Sequence, residues 1–453
     1  MQYQPYKNYK LSNVGWIHEV PSHWATWKVT HGFGLIGSGT TPKSNNSAYY
    51  ENGDTAWITT SELREKVIFE TKFKVSKEAL RDYSTLKVYE PGALAFAMYG
   101  ATIGRLGILG IKATVNQACC VFDKPEKFDT KFFFYWLWMR RDVLISLSVG
   151  GGQPNLSQDD LKAIRAPVPP IEEQAQIARF LEHKTRQIDD LIEKKKALIE
   201  KLDEQRIAVI TQAVTKGING KAKMKPSGVD WIGEVPNHWE VKRLKFFVKS
   251  LNSGVSVNAE QVPAQGDEYG VLKTSCVYGN EFRASENKRI FSSEISRASC
   301  PVRADSIIIS RMNTPELVGH CGYVGKDHSN LFLPDRLWIA RFHRDFDGVV
   351  KYFWYLLSSK GAQSKTETMA TGASASMKNL TQPDYLSMRL AVPNSIEQKS
   401  IVDFLDVEIS KICKLKRVNY YTIDRLLEYR RALVTSAVTG KIDVRNIQIP
   451  KGE

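Results

Sequence analysis

Apolar residues at Ile177, Leu181, Ile188, Leu191, Leu198, Leu202 and Val209 recur in steps of three and four, with some steps skipped, along a stretch otherwise rich in Glu, Lys, Gln and Arg. The spacing predicts a long helix over 171–216 with a coiled-coil seam. A second series, Ile401, Leu405, Ile412, Leu415, Leu426 and Leu433, predicts another helix in the same register, weakened where Thr422 stands in the place of Leu198. Prolines 167, 169 and 170 precede the first helix, and Pro393 precedes Ser395-Ile-Glu-Gln398, which has capping-box form. Gly217 and Gly440 stand where helix terminators are expected. A helix of this kind is about 65 Å long. One apolar stripe of that length needs a partner, and the other helix is the obvious one.

Before each helix the pattern changes. DTAWITTSEL, KFKVS, GALAFAMYG and QACCVF are short runs of aromatic and β-branched residues separated by Gly, Pro and Asn, as strands are, and FFFYWLWMR suits a buried helix. The second half answers with YGVLKTSCV, DSIIISRMN, GHCGYV and RLWIARF, then VVKYFWYLLSS in the place of FFFYWLWMR. The expected fold class is α+β: two mixed α/β domains, each followed by a long helix.

The halves are copies. GWIHEVPSHW (15–24) and DWIGEVPNHW (230–239) agree at seven of ten positions at an offset of 215, and Asn155–Ile218 superposes without gaps on Asn379–Ile442 at an offset of 224. The expected domains are therefore 1–166, the helix 167–218, 219–391 and the helix 392–445. Two copies of one unit commonly pack about an approximate two-fold axis, which is also the symmetry of duplex DNA. Under such an axis the helices pair antiparallel. The domains agree far less in identity than the helices, as two differently shaped readers on one frame would.

With 42% hydrophobic and 25% charged residues the chain can build a core and is not disordered. Its net charge of +14 favours a polyanionic partner, because Lys and Arg release counterions from phosphate backbones. The six cysteines show no CxxC and no even framework, which points to a reduced, cytoplasmic setting. No apolar run approaches the roughly 18 residues of a membrane span.

Catalytic motifs are missing. The sole Pro-Pro, Pro169-Pro170, is flanked by Val168 and Ile171 and is not an amino-methyltransferase motif; Gly34 to Gly39 has P-loop spacing, but Thr40 stands where lysine is needed. Pro334-Asp335 with Glu397-Gln398-Lys399 imitates a nuclease motif, yet Glu397 and Gln398 match Glu173 and Gln174, where Lys399 becomes Ala175. Carboxylates at a helix start follow from the helix dipole. His23 and His238, between proline and tryptophan, read as packing residues, and no ligand-spaced His/Cys cluster occurs, so no metal site is expected.

What remains are polar and basic residues in glycine-bearing loops: Thr40, Lys43, Thr60, Ser61, Arg64, Tyr99, Arg105, Asn116, Gln117 and Gln153 in the first half, and Lys273, Ser275, Arg311, Asn313, Arg336, Ser374 and Lys378 in the second. Arg can bridge guanine O6 and N7, Asn and Gln can bridge adenine N6 and N7, and Ser, Thr and Lys bind phosphates. These are the candidate DNA contacts.

At the WI-x-EVP-x-HW blocks, the PP-IEEQ-IARFL and PN-SIEQ-IVDFL helix starts and the AVTKGI and AVTGKI helix ends, the chain resembles the specificity subunits of type I restriction-modification enzymes. ISRMNTPELVG and LPDRLWIARF resemble segments of that family's target recognition domains. The resemblance implies a non-catalytic subunit with two target recognition domains, each reading half of a bipartite double-stranded DNA site, on an antiparallel coiled coil whose length sets the unread gap. It implies two methylation subunits and restriction subunits as partners, with S-adenosylmethionine, ATP and Mg used there and no cofactor in this chain. The contrasting expectation is a fused methylase-nuclease or a standalone nuclease with an unrecognised active site.

Overall fold

The structure, a computed structural model, describes residues 3–146, 155–343, 346–374 and 377–450. It divides into two compact units, one of Met1–Lys195 with Tyr420–Glu453 and one of Lys196–Asn419, so the boundary cuts both long helices in mid-course.

The helices run over Ile171–Lys216 and Ser395–Val438 and stop at Gly217 (φ +72°) and Gly440 (φ +73°), a left-handed conformation that glycine adopts without strain. In the first unit Asp189 pairs with Arg430 at 2.9 Å, while upstream Gln176 donates to the Ile447 carbonyl at 2.9 Å, so the two segments run in opposite directions. In the second unit Asp203 pairs with Lys416 at 2.6 Å and Gly217 lies beside Glu397, which gives the same antiparallel sense.

The seam departs from the predicted one. Leu191 and Leu198 are 41% and 44% exposed, and the neighbouring Ile192 and Ile199 are buried in their stead. Leu415 also faces outward, and the polar Asn419 is buried further along. A straight helix drifts by about 20° per heptad against a 3.5-residue repeat, so a stripe read over several heptads shifts toward the neighbouring position. The predicted capping box is also displaced: Asn394 Oδ1, one residue before Ser395, accepts the Glu397 N–H at 2.9 Å.

In the first unit a five-stranded sheet has the order Phe33–Ser38, Cys119–Pro125, Leu94–Ala97, Leu106–Leu109, Lys66–Ile68, antiparallel except for its last pair. Thr55–Ile58 lies parallel to Ala113–Val115 and antiparallel to Lys74–Val75 in a smaller sheet. The helix Thr130–Ser146 buries Phe132 to Leu137 in sequence. Phe33, Phe122, Phe128 and Phe133 tie that helix to the sheet with ring centroids 4.8–5.7 Å apart.

In the second unit Val248–Ser253, Leu337–Phe342, Ser306–Ser310 and Cys321–Val324 form an antiparallel four-stranded sheet. A five-stranded sheet contains Gly270–Leu272 parallel to His328–Phe332. The helix Val350–Leu357 is buried apart from Lys351, which pairs with Asp406 at 2.6 Å. Both units therefore match the expected mixed architecture. Among the described residues no helix is long and apolar enough to cross a membrane.

The duplicated block has a definite structural task. Trp24 Nε1 donates to Glu173 Oε1 at 2.9 Å and His23 Nε2 lies 2.7 Å from Glu173 Oε2; Trp239 and His238 repeat this on Glu397 at 3.2 and 2.7 Å. The next residue completes the latch. Gln174 Nε2 donates to the Pro169 carbonyl while its Oε1 accepts from Asp129 N–H, and Gln398 does the same with Pro393 and Val349. The other copy's helix end closes each junction, Gly440 against Pro21 and Trp24, Gly217 against Pro236 and Trp239. His23 and His238 are thus latch residues that fix where each helix begins.

Candidate nucleic-acid interface

Parallel strand pairs gather the loops. Ile58 sits opposite Val115, so Thr59–Arg64 and Asn116–Gln117 leave the first unit's sheet side by side, and Asn116 N–H donates to the Ile58 carbonyl at 3.0 Å. The loop after Phe33–Ser38 joins them at Gly39, where a Cβ would stand 1.6 Å from the Val115 carbonyl oxygen. Only glycine permits that approach. Beyond it, Thr41 donates to the Gln117 side chain and Thr85 donates to Thr40 at 3.0 Å.

The second unit repeats the frame. A Cβ on Gly254 would stand 1.7 Å from the Leu333 carbonyl, and Ser256, two residues on as Thr41 is, donates to Asp335 at 2.6 Å. Lys273 and Ser275 follow Gly270–Leu272 as Thr59 and Ser61 follow Thr55–Ile58. A third strand contributes in both: Met98 N–H donates to the Ala118 carbonyl at 2.8 Å, and Arg311 N–H to the Arg336 carbonyl at 3.1 Å.

These contacts bring Thr40, Thr60, Ser61, Asn116 and Gln117 together, with exposed Lys43 and Arg64 at the same loops and Tyr99 bridged to Asn155. They likewise gather Lys273, Ser275, Arg311, Asn313, Arg336 and Lys378, since Asn313 pairs with Lys378 in a short ladder and Tyr278 joins Asn313 to the Ser275 turn. Gln153 lies outside the described residues. Ser374 closes the strand Thr371–Ser374, opposite Met377.

Several candidate side chains are bound within the fold. Arg105 donates to the Leu63 carbonyl at 3.1 Å and pairs with Glu65, and Arg64 Nε donates to the Ser61 carbonyl at 3.0 Å. Asn313 is buried and donates to both Ser310 and Tyr278 at 3.1 Å. Ser275 donates to Glu286 at 2.6 Å, and this hydrogen bond holds the Glu286 carboxyl below its ordinary range. Burial raises the Tyr99 phenol above its usual value. Asn116 Oδ1 and Arg311 Nε, by contrast, are buried without a partner among the described residues.

Gly254 and Ser256 were not among the candidates from the sequence. A signal was present, because Ser38-Gly39 and Ser253-Gly254 recur at the same offset of 215 as the WI-x-EVP-x-HW block. Among the described residues no group of His, Cys, Asp and Glu could hold a metal ion.

Residues 21–201 match the family model described as the type I restriction modification DNA specificity domain. The type I restriction enzyme MjaVIII specificity subunit of Methanocaldococcus jannaschii is 25% identical over 363 residues, spanning 77% of this chain and 78% of that protein. The EcoKI specificity subunit of Escherichia coli (strain K12) is 27% identical over 333 residues, 72% of this chain and 68% of its own length. In sequence and in fold the chain is similar to the specificity subunits of type I restriction enzymes. Two solved structures share the fold of this chain. A chain of a type I R-M system, solved for its complex assembly and conformational transition, superposes with a TM-score of 0.70 at 16% identity, covering 93% of this chain and 99% of that one. The HsdS subunit from Thermoanaerobacter tengcongensis gives 0.54 at 17% identity, with 93% and 98% covered.

Proposed function

We propose that each unit reads one half of a bipartite double-stranded DNA site through its loop cluster, and that the long helices carry partner subunits and set the unread gap. As a specificity subunit the chain is the non-catalytic component of a restriction-modification complex. The observation that carries this reading is the duplicated frame: two equivalent loop clusters on a chain of net charge +14, presenting different side chains.

Two methylation subunits bind the helices, restriction subunits join through the complex, and S-adenosylmethionine, ATP and Mg²⁺ are used on those partners in the cytoplasm. Outward apolar residues support helix docking, including Leu191 and Leu198 on the first helix and Tyr420 and Tyr421 on the second. The Lys194–Lys196 run lies on the same stretch as the two leucines.

Mapping methylated adenines in DNA exposed to the assembled complex tests this. The reading predicts a split site whose gap widens, with both halves intact, when a helical turn is inserted into each helix near Lys196 and Asn419. An unchanged gap refutes the ruler. Methylation or cleavage by the purified chain alone, abolished by changing a single carboxylate, refutes the non-catalytic assignment.

A further inference from the structure

The two loop clusters share their backbone frame and differ at two matched positions. Leu156 N–H donates to the Met98 carbonyl at 2.9 Å and Leu380 N–H to the Arg311 carbonyl at 2.8 Å, and Leu156 and Leu380 are partners at the repeat offset of 224. Met98 therefore corresponds to Arg311, and Ala118, whose carbonyl Met98 engages, corresponds to Arg336. Met98 and Ala118 are buried and apolar. Arg336 is exposed and Arg311 half-buried.

The arginines differ in how they are held. The Arg311 guanidinium lies 5.7 Å from the centroid of the Trp338 ring, which fixes it against the sheet. No ion pair or side-chain hydrogen bond engages Arg336 among the described residues, and the adjacent carboxylate of Asp335 accepts from Ser256 at 2.6 Å. Here a planar fork of donors stands unpaired on a loop anchored by a glycine cradle, a hydroxyl–carboxylate bond and a backbone bond to Arg311.

We propose that Arg336 reads a guanine in the half-site contacted by the second unit, through its O6 and N7 acceptors. The match is chemical, because two parallel N–H donors meet the two acceptors on the guanine edge, a pairing that no other base offers. The first unit, with Met98 and Ala118 at the matched positions, sets no guanine requirement there. This inference rests on the loop clusters being the DNA-contacting surfaces.

The test uses the complex assembled with its methylation subunits, methylated-adenine mapping, and binding to duplexes carrying single base changes. Arg336→Ala is expected to weaken cognate binding about 10- to 100-fold and relax one G·C position in one half-site only. Arg336→Gln is expected to exchange that guanine for adenine, a gained preference that a misfolded domain cannot produce. Uniform weakening on every sequence with an unchanged consensus identifies a phosphate contact and overturns the guanine assignment, leaving the loop clusters as DNA surfaces. Unchanged binding and consensus in both variants overturn the guanine assignment and remove the support this loop gives to the wider reading.

Discussion

At the helix starts the two units are near-copies down to individual atoms, whereas at the loop clusters they share backbone contacts and little else. Trp24, His23, Glu173 and Gln174 are matched by Trp239, His238, Glu397 and Gln398, bond for bond. In the clusters Gly39 and Gly254 make the same approach to a carbonyl, yet Gln117 faces Asp335 and Ala118 faces Arg336 across the match. In the latches the tryptophan, histidine, glutamate and glutamine that make the bonds are all repeated. In the clusters the backbone contacts are repeated while most side chains differ, so two unlike readers can sit on one mount.

The latches are matched but not equal, and that inequality gives the largest expected effect. Glu173 also accepts the Tyr6 hydroxyl at 2.6 Å and is buried, while Glu397 is more exposed and Lys221 occupies the position that corresponds to Tyr6. Glu173→Ala leaves a buried indole N–H and a phenol unpaired and should cost about 3 kcal/mol; Glu397→Ala should cost about half that. Urea unfolding of the two variants in parallel checks the ratio, and equal losses would remove the asymmetry.

The glycine cradles come next. Gly39→Ala and Gly254→Ala each force a Cβ onto a carbonyl oxygen and should cost about 2 kcal/mol each. Hydrogen exchange should show the loss confined to the altered unit's cluster. Protection falling in both units alike would break the idea of two separable readers. The seam ion pairs should matter least: Lys416→Ala and Arg430→Ala remove partly exposed pairs and are expected to cost below about 1 kcal/mol each. Thermal unfolding of the single variants measures that, and a clearly larger loss at either pair would make it a structural anchor.

The long helices were readable because their signal is local: the first is observed over the same 171–216 that its spacing predicts. The seam was not, since burial of Ile192 in preference to Leu191 depends on how drift accumulates against a partner. Both halves of each latch stood in the sequence as a repeated block and a repeated Glu-Gln. Their contact across about 150 residues was invisible to periodicity. Strands of three to five residues, such as Ala113–Val115 and His328–Phe332, carry too little pattern to reveal the parallel pairing that gathers the loops. Residue type alone could not separate Asn313, which bonds inward, from Arg336, which does not.

The central claim, two independent readers on one duplicated mount, is tested most directly by replacing residues 25–150 with the corresponding segment of another specificity subunit and mapping methylated adenines with the assembled complex. One half-site should change while the other half and the gap stay as they were. A site altered in both halves, or in neither, would contradict the account.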